Sequence, residues 1–559
     1  MHRSTPSRTR RLATVLFVAA LVLAACGGGD DDEGPAAGAT SSEDDGEGSA
    51  DGGGEERALV IVRDMDLNSL DPSRAYCDTC QIYLSATYET LIGLDRDNKT
   101  LIPRLATEWS TNDDATEFTF TLDPEATFAD GTPVEPKDVQ WSWERLANVE
   151  GSASYLAGGI ESIETPDEST VVVTTEAPNS AFLAIVNAPY MSIINSDLAT
   201  ENGAISAVGA ASDDEAEPWF LENSAGSGPF TLASYQEGDE LRLSRNDDYW
   251  GEPSDFPEVI MQQTQDAVTQ RQQLETGNAD IAMQISQDVA EGMGDDVTVE
   301  RVPSFNYVYV AFSPGAAGNT VELTPKILEA LRLAIDYEGV LDVTVGGAGA
   351  LQASPIPNGF AGSEDLELPA QDVERAKELL EEEGLADGFE LDATYPVLNV
   401  YGVDFNTMMQ KVQRDLAEIG VEAQLNPIDI AVWAETIAAD GIPLTAVYFA
   451  PDHTDSSQYV QYFGQVEGSS WAARGGGGES GAPLTDTEQE ELLAQALATA
   501  DPDARAEIYG QLGQAMIDDG VIVPLVNPEL ILAYASDIGG MHYSACCNLE
   551  LGALTLEGP

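Results

Sequence analysis

The first fifty-six residues decide how much of this chain is free to fold, and where. Arg3, Arg8, Arg10 and Arg11 lead into an uncharged apolar run from Leu12 to Ala25. That length suits the apolar part of an export signal and falls short of the ~20 residues needed to span a bilayer. The body of the protein is therefore expected to work outside the cytoplasm. Residues 26–56 are chiefly Gly, Ser, Ala and acids such as Asp30, Asp31, Asp32 and Glu33, with no Lys, Arg or large aliphatic residue. Such a segment cannot bury enough apolar surface to offset its ordering entropy, and its like charges hold it open. A disordered acidic tether is expected there.

The run ends Leu23-Ala24-Ala25-Cys26, followed by Gly27-Gly28-Gly29. Small residues before a cysteine at the cleavage point resemble the lipobox of bacterial lipoproteins. The resemblance implies that Cys26 carries the lipid and begins the mature chain, so the membrane is met through a lipid anchor only. The plainer alternative is an ordinary export signal with an incidental cysteine. The expected layout is thus a signal over 1–25 and a tether over 26–56.

About five hundred residues remain, more than one hydrophobic core usually serves, so two or more lobes are expected. The whole chain holds 24 Lys+Arg against 98 Asp+Glu, a formal net charge of −74. Discounting the leader's four arginines and the tether's eleven acids leaves −67 for residues 57–559. Such a surface repels nucleic acid and anionic headgroups, so neither is expected as a partner. Lysine occurs only at 99, 137, 326, 377 and 411, and this acid excess is similar to that of proteins from salt-adapted organisms. Beyond Cys26 lie Cys77, Cys80, Cys546 and Cys547. An even number in an exported protein favours disulfides over metal or redox use.

Strand and helix patterns alternate along the body, so the class is α/β. Leu59 to Val62 reads as a strand, and Tyr83, Tyr88, Leu91 and Ile92 as a helical pattern. Phe118, Phe120 and Leu122 alternate as a half-buried strand does. Asp130-Gly131 is a turn pair, and Asp138 suits a helix's first turn. Leu328, Leu331, Ile335 and Val340 mark one helix. Val373, Ala376, Leu379 and Leu380 mark another, stopping at Gly384. Trp109, Trp141, Trp143 and Trp250 are expected as core or turn anchors. Four phrases occur in order: "FADGTPVEPKDVQWSWERL", "GSGPFTLASYQEGDELRLSRNDDYWG", "LEALRLAIDYEGVLDVTVGGAG" and "DVERAKELLEEEGLADGFEL". With "SLDP" ahead of them, they resemble the family 5 extracellular solute-binding proteins of peptide/nickel-type ABC transporters.

That resemblance implies a two-lobed periplasmic-binding-protein fold with mixed sheets, hinged, with the ligand cleft between the lobes. Lobe I is expected over 57–307, with an inserted subdomain, and again over 526–559; lobe II is expected over 308–525. It also implies that the loop of Cys77 and Cys80 and the tail of Cys546 and Cys547 share a lobe. Cross-pairing between them is expected on that basis, since closing so long a loop stabilises by roughly 5 kcal/mol. Three segments are expected at the cleft: Tyr76-Cys77-Asp78-Thr79, a hinge strand with Tyr307 and Tyr309, and "VYFAPDHTDSSQYV". The last resembles the family phrase W-x-P-D-Y-x-D-P, with Asp452 and Asp455 on its aspartates. Tyr448 or Phe449 replaces Trp, His453 replaces Tyr and Ser456 replaces Pro. The resemblance implies that Asp452 pairs with a peptide's α-ammonium; a turn or cap aspartate is the alternative. Arg74, Arg271, Arg301 and Arg474 are left open as partners for a carboxylate.

The implied function is capture of a peptide outside the cytoplasm and delivery to an ABC transporter permease, by a monomer without cofactor or metal. The same fold could take an opine, a short glucan, glutathione or a metal complex. A secreted hydrolase is the rival from another class. His453 and His542 are the body's two histidines, and neither a Gly-x-Ser-x-Gly nor a His-Glu-x-x-His motif occurs.

Overall fold

The computed structural model describes residues 57–294, 296–476 and 483–557. The expected signal, the tether and Cys26 lie outside the described residues. Among the described residues no helix is long and apolar enough to cross a membrane.

Two mixed sheets organise the body. The first has seven strands in the order Val297–Val302, Leu530–Ala535, Ile281–Ala282, Leu59–Arg63, Glu258–Gln263, Glu240–Arg245, Phe230–Gln236. Leu59–Arg63 runs parallel to both its neighbours, and the other ladders are antiparallel. Its apolar run Leu59-Val60-Ile61-Val62 fits a strand covered on both faces. The second sheet runs Gly349–Ala350, Ile522–Pro528, Tyr307–Phe312, Leu444–Phe449, Phe389–Pro396, Val421–Ile428. Each sheet has its own core, one around Leu59, Ile61, Tyr83 and Trp143, the other around Tyr307, Leu331, Met408 and Trp471. A four-stranded antiparallel sheet, Ala106–Thr111, Glu117–Leu122, Thr170–Thr175 and Ile160–Glu164, shares the first core through Phe118 and Phe120.

The chain passes between the two large sheets twice, after Val302 and at Glu529. The passages lie side by side. Asn527 Nδ2 donates to the carbonyls of Ser304 (3.0 Å) and Asn306 (2.7 Å), and Ser304 Oγ donates to the carbonyl of Pro528 (3.0 Å). The return comes a few residues later than expected because Ile522–Pro528 stays paired with Gly349–Ala350 as far as Pro528.

Local chemistry explains the elements that carry the site. Helix Pro136–Val149 starts with proline in its first turn and a reciprocal capping box between Glu135 and Asp138. It buries Arg145, whose guanidinium grips Asp71 with two 2.6 Å bonds and Asp214 at 2.9 Å. All three side chains are wholly buried, and they fix the loop that leads to Tyr76. Helix Asp78–Thr87 ends before Tyr88, short of the expected reach to Ile92, which instead opens strand Ile92–Leu94. Trp143 is buried and donates to Met191 O (3.0 Å); Trp250 donates to Glu89 (2.8 Å).

The cysteines depart from the expected cross-pairing. Cys77 and Cys80 are bonded to each other, with Cα atoms 4.9 Å apart, while Cys546 and Cys547 are free thiols. Cys77 is the N-cap of helix Asp78–Thr87, so one turn of backbone brings Cys80 beside it. Cys546 and Cys547 pack elsewhere, with Leu94 and Ala545.

Candidate ligand-binding cleft

Asp452 lies in the loop that follows strand Leu444–Phe449 and precedes helix Ser457–Phe463. Buried Gln458 fixes that loop: its Oε1 accepts from Asp452 N (2.7 Å), and its Nε2 donates to the carbonyls of His453 and Asp455. His453 is a core residue whose Nδ1 accepts from Asp455 N (3.2 Å). Burial depresses its pKa to about 4, so it is neutral near pH 7.

The Asp452 carboxylate accepts from two hydroxyls on the first core: Tyr76 at 2.8 Å, and Tyr155. Tyr155 comes from the short 3₁₀ helix Ser154–Ala157; its ring is 37% exposed because it lines a cavity, while its hydroxyl tip is engaged. Burial pushes Asp452 up to about 6, and the two hydroxyls oppose that rise. Two further contacts join the same faces. Tyr401 donates to Asp78 (2.7 Å), and Tyr448 lies 3.5 Å from Asp66. Burial, then the neighbouring Asp66, lifts Asp78 to about 7.

Three cavities meet here, all walled by Tyr76 and Ile430. The smallest, about 170 Å³, is lined by both Asp452 and Arg474, with Asp78, Trp433 and Phe449 among its walls. A second, about 840 Å³, adds Tyr155, Val466, Leu493 and Leu497, giving it a largely apolar side. The third, about 890 Å³, is lined by Arg63 and the acids Asp64, Asp66, Asp78, Asp404 and Asp429.

Arg474 stands out among the four basic candidates. Its guanidinium lies over Trp471 (5.4 Å) and Tyr462 (6.0 Å) and donates to Tyr462 Oη (3.4 Å), with no carboxylate partner among the described residues. The other three are engaged away from these cavities: Arg74 with Asp71 and Asp214, Arg271 with Glu275, Arg301 with Gln287. Tyr76, Asp78, Phe449 and Asp452 are thus brought together. Tyr307, Tyr309 and Asp455 are not. The tyrosines are fully buried in the second core, Tyr309 accepting from Trp471 Nε1 (3.2 Å), because Tyr307–Phe312 is a central strand covered on both faces. Asp455 turns back to accept from Ser457 N (2.9 Å) and Tyr509 Oη (2.6 Å), a structural role. Tyr155, Trp433 and Arg63 had no signal in the sequence, since contacts across hundreds of residues leave no spacing to read.

The family model of bacterial extracellular solute-binding proteins, family 5 (middle), matches residues 100–471. A probable D,D-dipeptide-binding periplasmic protein of Escherichia coli K12 is 26% identical over 499 residues, 87% of this chain and 91% of that one. The dipeptide-binding protein of Pseudoalteromonas sp. SM9913, solved with Met-Leu, superposes with a TM-score of 0.78 at 21% identity, over 90% of this chain and 100% of that one. A binding protein of A. tumefacien R10, solved with agropinic acid, gives 0.75 at 23%, over 90% and 99%.

Proposed function

Since the chain belongs to the bacterial extracellular solute-binding proteins of family 5, a family of two-lobed binding proteins rather than enzymes, we propose that its cleft takes a short zwitterionic peptide. The observation that carries this reading is the pairing of a buried carboxylate, Asp452, with Arg474 in one small cavity. An α-ammonium would replace the tyrosine hydroxyls at Asp452, and a carboxylate would complete Arg474, which has no carboxylate partner among the described residues, as charge-assisted bonds in a water-poor site favour. In this reading the two sheets are the cores of lobes that swing about the paired passages near Ser304 and Glu529, trapping ligand as they close. The captured peptide passes to the permease of an ABC transporter. Lipid anchoring through Cys26, a monomeric state and an extracytoplasmic site at the cell surface or in the periplasm complete the proposal.

Calorimetric titration tests it. Asp452→Asn leaves the ammonium without its anion, a loss of about 2–5 kcal/mol, or roughly 30- to 4,000-fold in affinity. N-acetylation of the peptide should weaken binding to wild type and add little in the variant. Full-strength binding of a free-amine peptide by Asp452→Asn would overturn the pairing of its ammonium with Asp452.

A further inference from the structure

The two free thiols lie far from any role in the cleft, yet they are not simple core sulfurs. Cys546 and Cys547 are almost wholly buried, with Sγ atoms 3.4 Å apart and unbonded. The Glu550 carboxylate completes a group whose ligand atoms all lie within 4.8 Å of one another. His542 stands behind it, Nε2 3.8 Å from Glu550 Oε2, so four donor side chains fall within one nine-residue stretch. The stretch is held by polar clamps. Asn98 accepts from Ala545 N (2.7 Å) and donates to Tyr543 O (3.1 Å), and Asn306 donates to Asn548 Oδ1 (2.9 Å). A cavity of about 240 Å³, walled by Glu89, Arg104, Glu252 and Glu550, reaches the carboxylate from outside.

We propose that Cys546, Cys547 and Glu550 form a binding site for one thiophilic d10 cation of the zinc class, with His542 as the fourth donor. Two sulfurs each about 2.3 Å from a tetrahedral ion stand about 3.8 Å apart, so 3.4 Å needs only a small opening. Thiolate, imidazole and carboxylate are the donor set such ions select, whereas a hard cation would want oxygens. Each thiol gives its proton to solvent as its sulfur binds, and the ion's charge stabilises the thiolates formed. Among the described residues Arg104, 3.9 Å from Glu550 Oε1, is the cation beside the group, and Glu89 lines the same cavity. The ion would close the 542–550 segment on itself.

The test uses the full chain carrying Cys26→Ser, purified without reductant or chelator and titrated with cadmium. A thiolate-to-metal charge-transfer absorption should saturate at one equivalent, and zinc loaded beforehand should be released as it grows. Cys546→Ser/Cys547→Ser should abolish it; Glu550→Gln, a partly exposed position that spares the fold, should keep it with about tenfold weaker affinity. The proposal is overturned by no absorption in wild type, by undiminished absorption in the double serine variant, or by a Cys546–Cys547 bond in the protein as isolated.

Discussion

Asp452 is the residue on which the cleft turns, because it is a buried acid answered by two phenols rather than by a cation. Its carboxyl titrates at about 6, raised first by burial, and only the ionised form attracts an ammonium. Affinity for a free-amine ligand should therefore fall as pH drops through about 6, approaching tenfold per unit below the midpoint. Tyr155→Phe removes one donor that favours the ionised form, so the midpoint should move up. Calorimetry from about pH 5 to pH 8 checks both, and a flat profile rejects the ion-pair reading. Asp452 was legible in the sequence through its phrase, whereas Tyr155 was not, being 297 residues away and joined only by folding. Asp455 belonged to the same phrase and went the other way. A motif marks where a loop stands and leaves open which of its acids faces out.

At the scale of elements, the Arg145–Asp71–Asp214 cluster does for the Tyr76 loop what Gln458 does for Asp452. Removing one member of a fully buried ion group strands the others, so Arg145→Met should cost about 3–5 kcal/mol in a denaturant melt. A loss below about 1 kcal/mol would mean that water enters the cluster in solution. Elements with one solvent face were readable in advance: Phe118, Phe120 and Leu122 alternate as their burial does, and Gly384 takes a φ of +78° just past helix Val373–Glu382. Tyr307–Phe312 was misjudged for the opposite reason. Every residue in it is buried, so no alternation exists to tell an inward tyrosine from one facing ligand. The cysteines erred similarly, since an even number leaves the pairing open and a single helical turn decided it.

For the whole molecule, two electrostatic effects act on stability and can be separated by salt. A body with so few bases repels itself, and 1 M salt cuts the Debye length to about 3 Å, so the melting temperature should rise with sodium chloride into the molar range. The buried acids behave differently. Asp78 (about 7) and Asp452 (about 6) lie above the unfolded value near 3.9, so in that window the folded state holds protons the unfolded chain has released. Stability therefore falls as pH rises from about 4 to about 7. Scanning calorimetry in 1 M salt should show the ligand-free protein melting higher at about pH 5 than at about pH 7.5. Asp78→Asn should shrink that difference, and a reversed slope would place both acids in water. The hydroxyls on Asp452 carry one more consequence. In the proposed reading an incoming ammonium must displace two phenols already in place, so a simple amine gains little by entering. Only a solute that also reaches Arg474 recovers more than it displaces. Under the proposed peptide reading two recognitions are thus required together, and the threshold between noise and cargo is set before any ligand arrives.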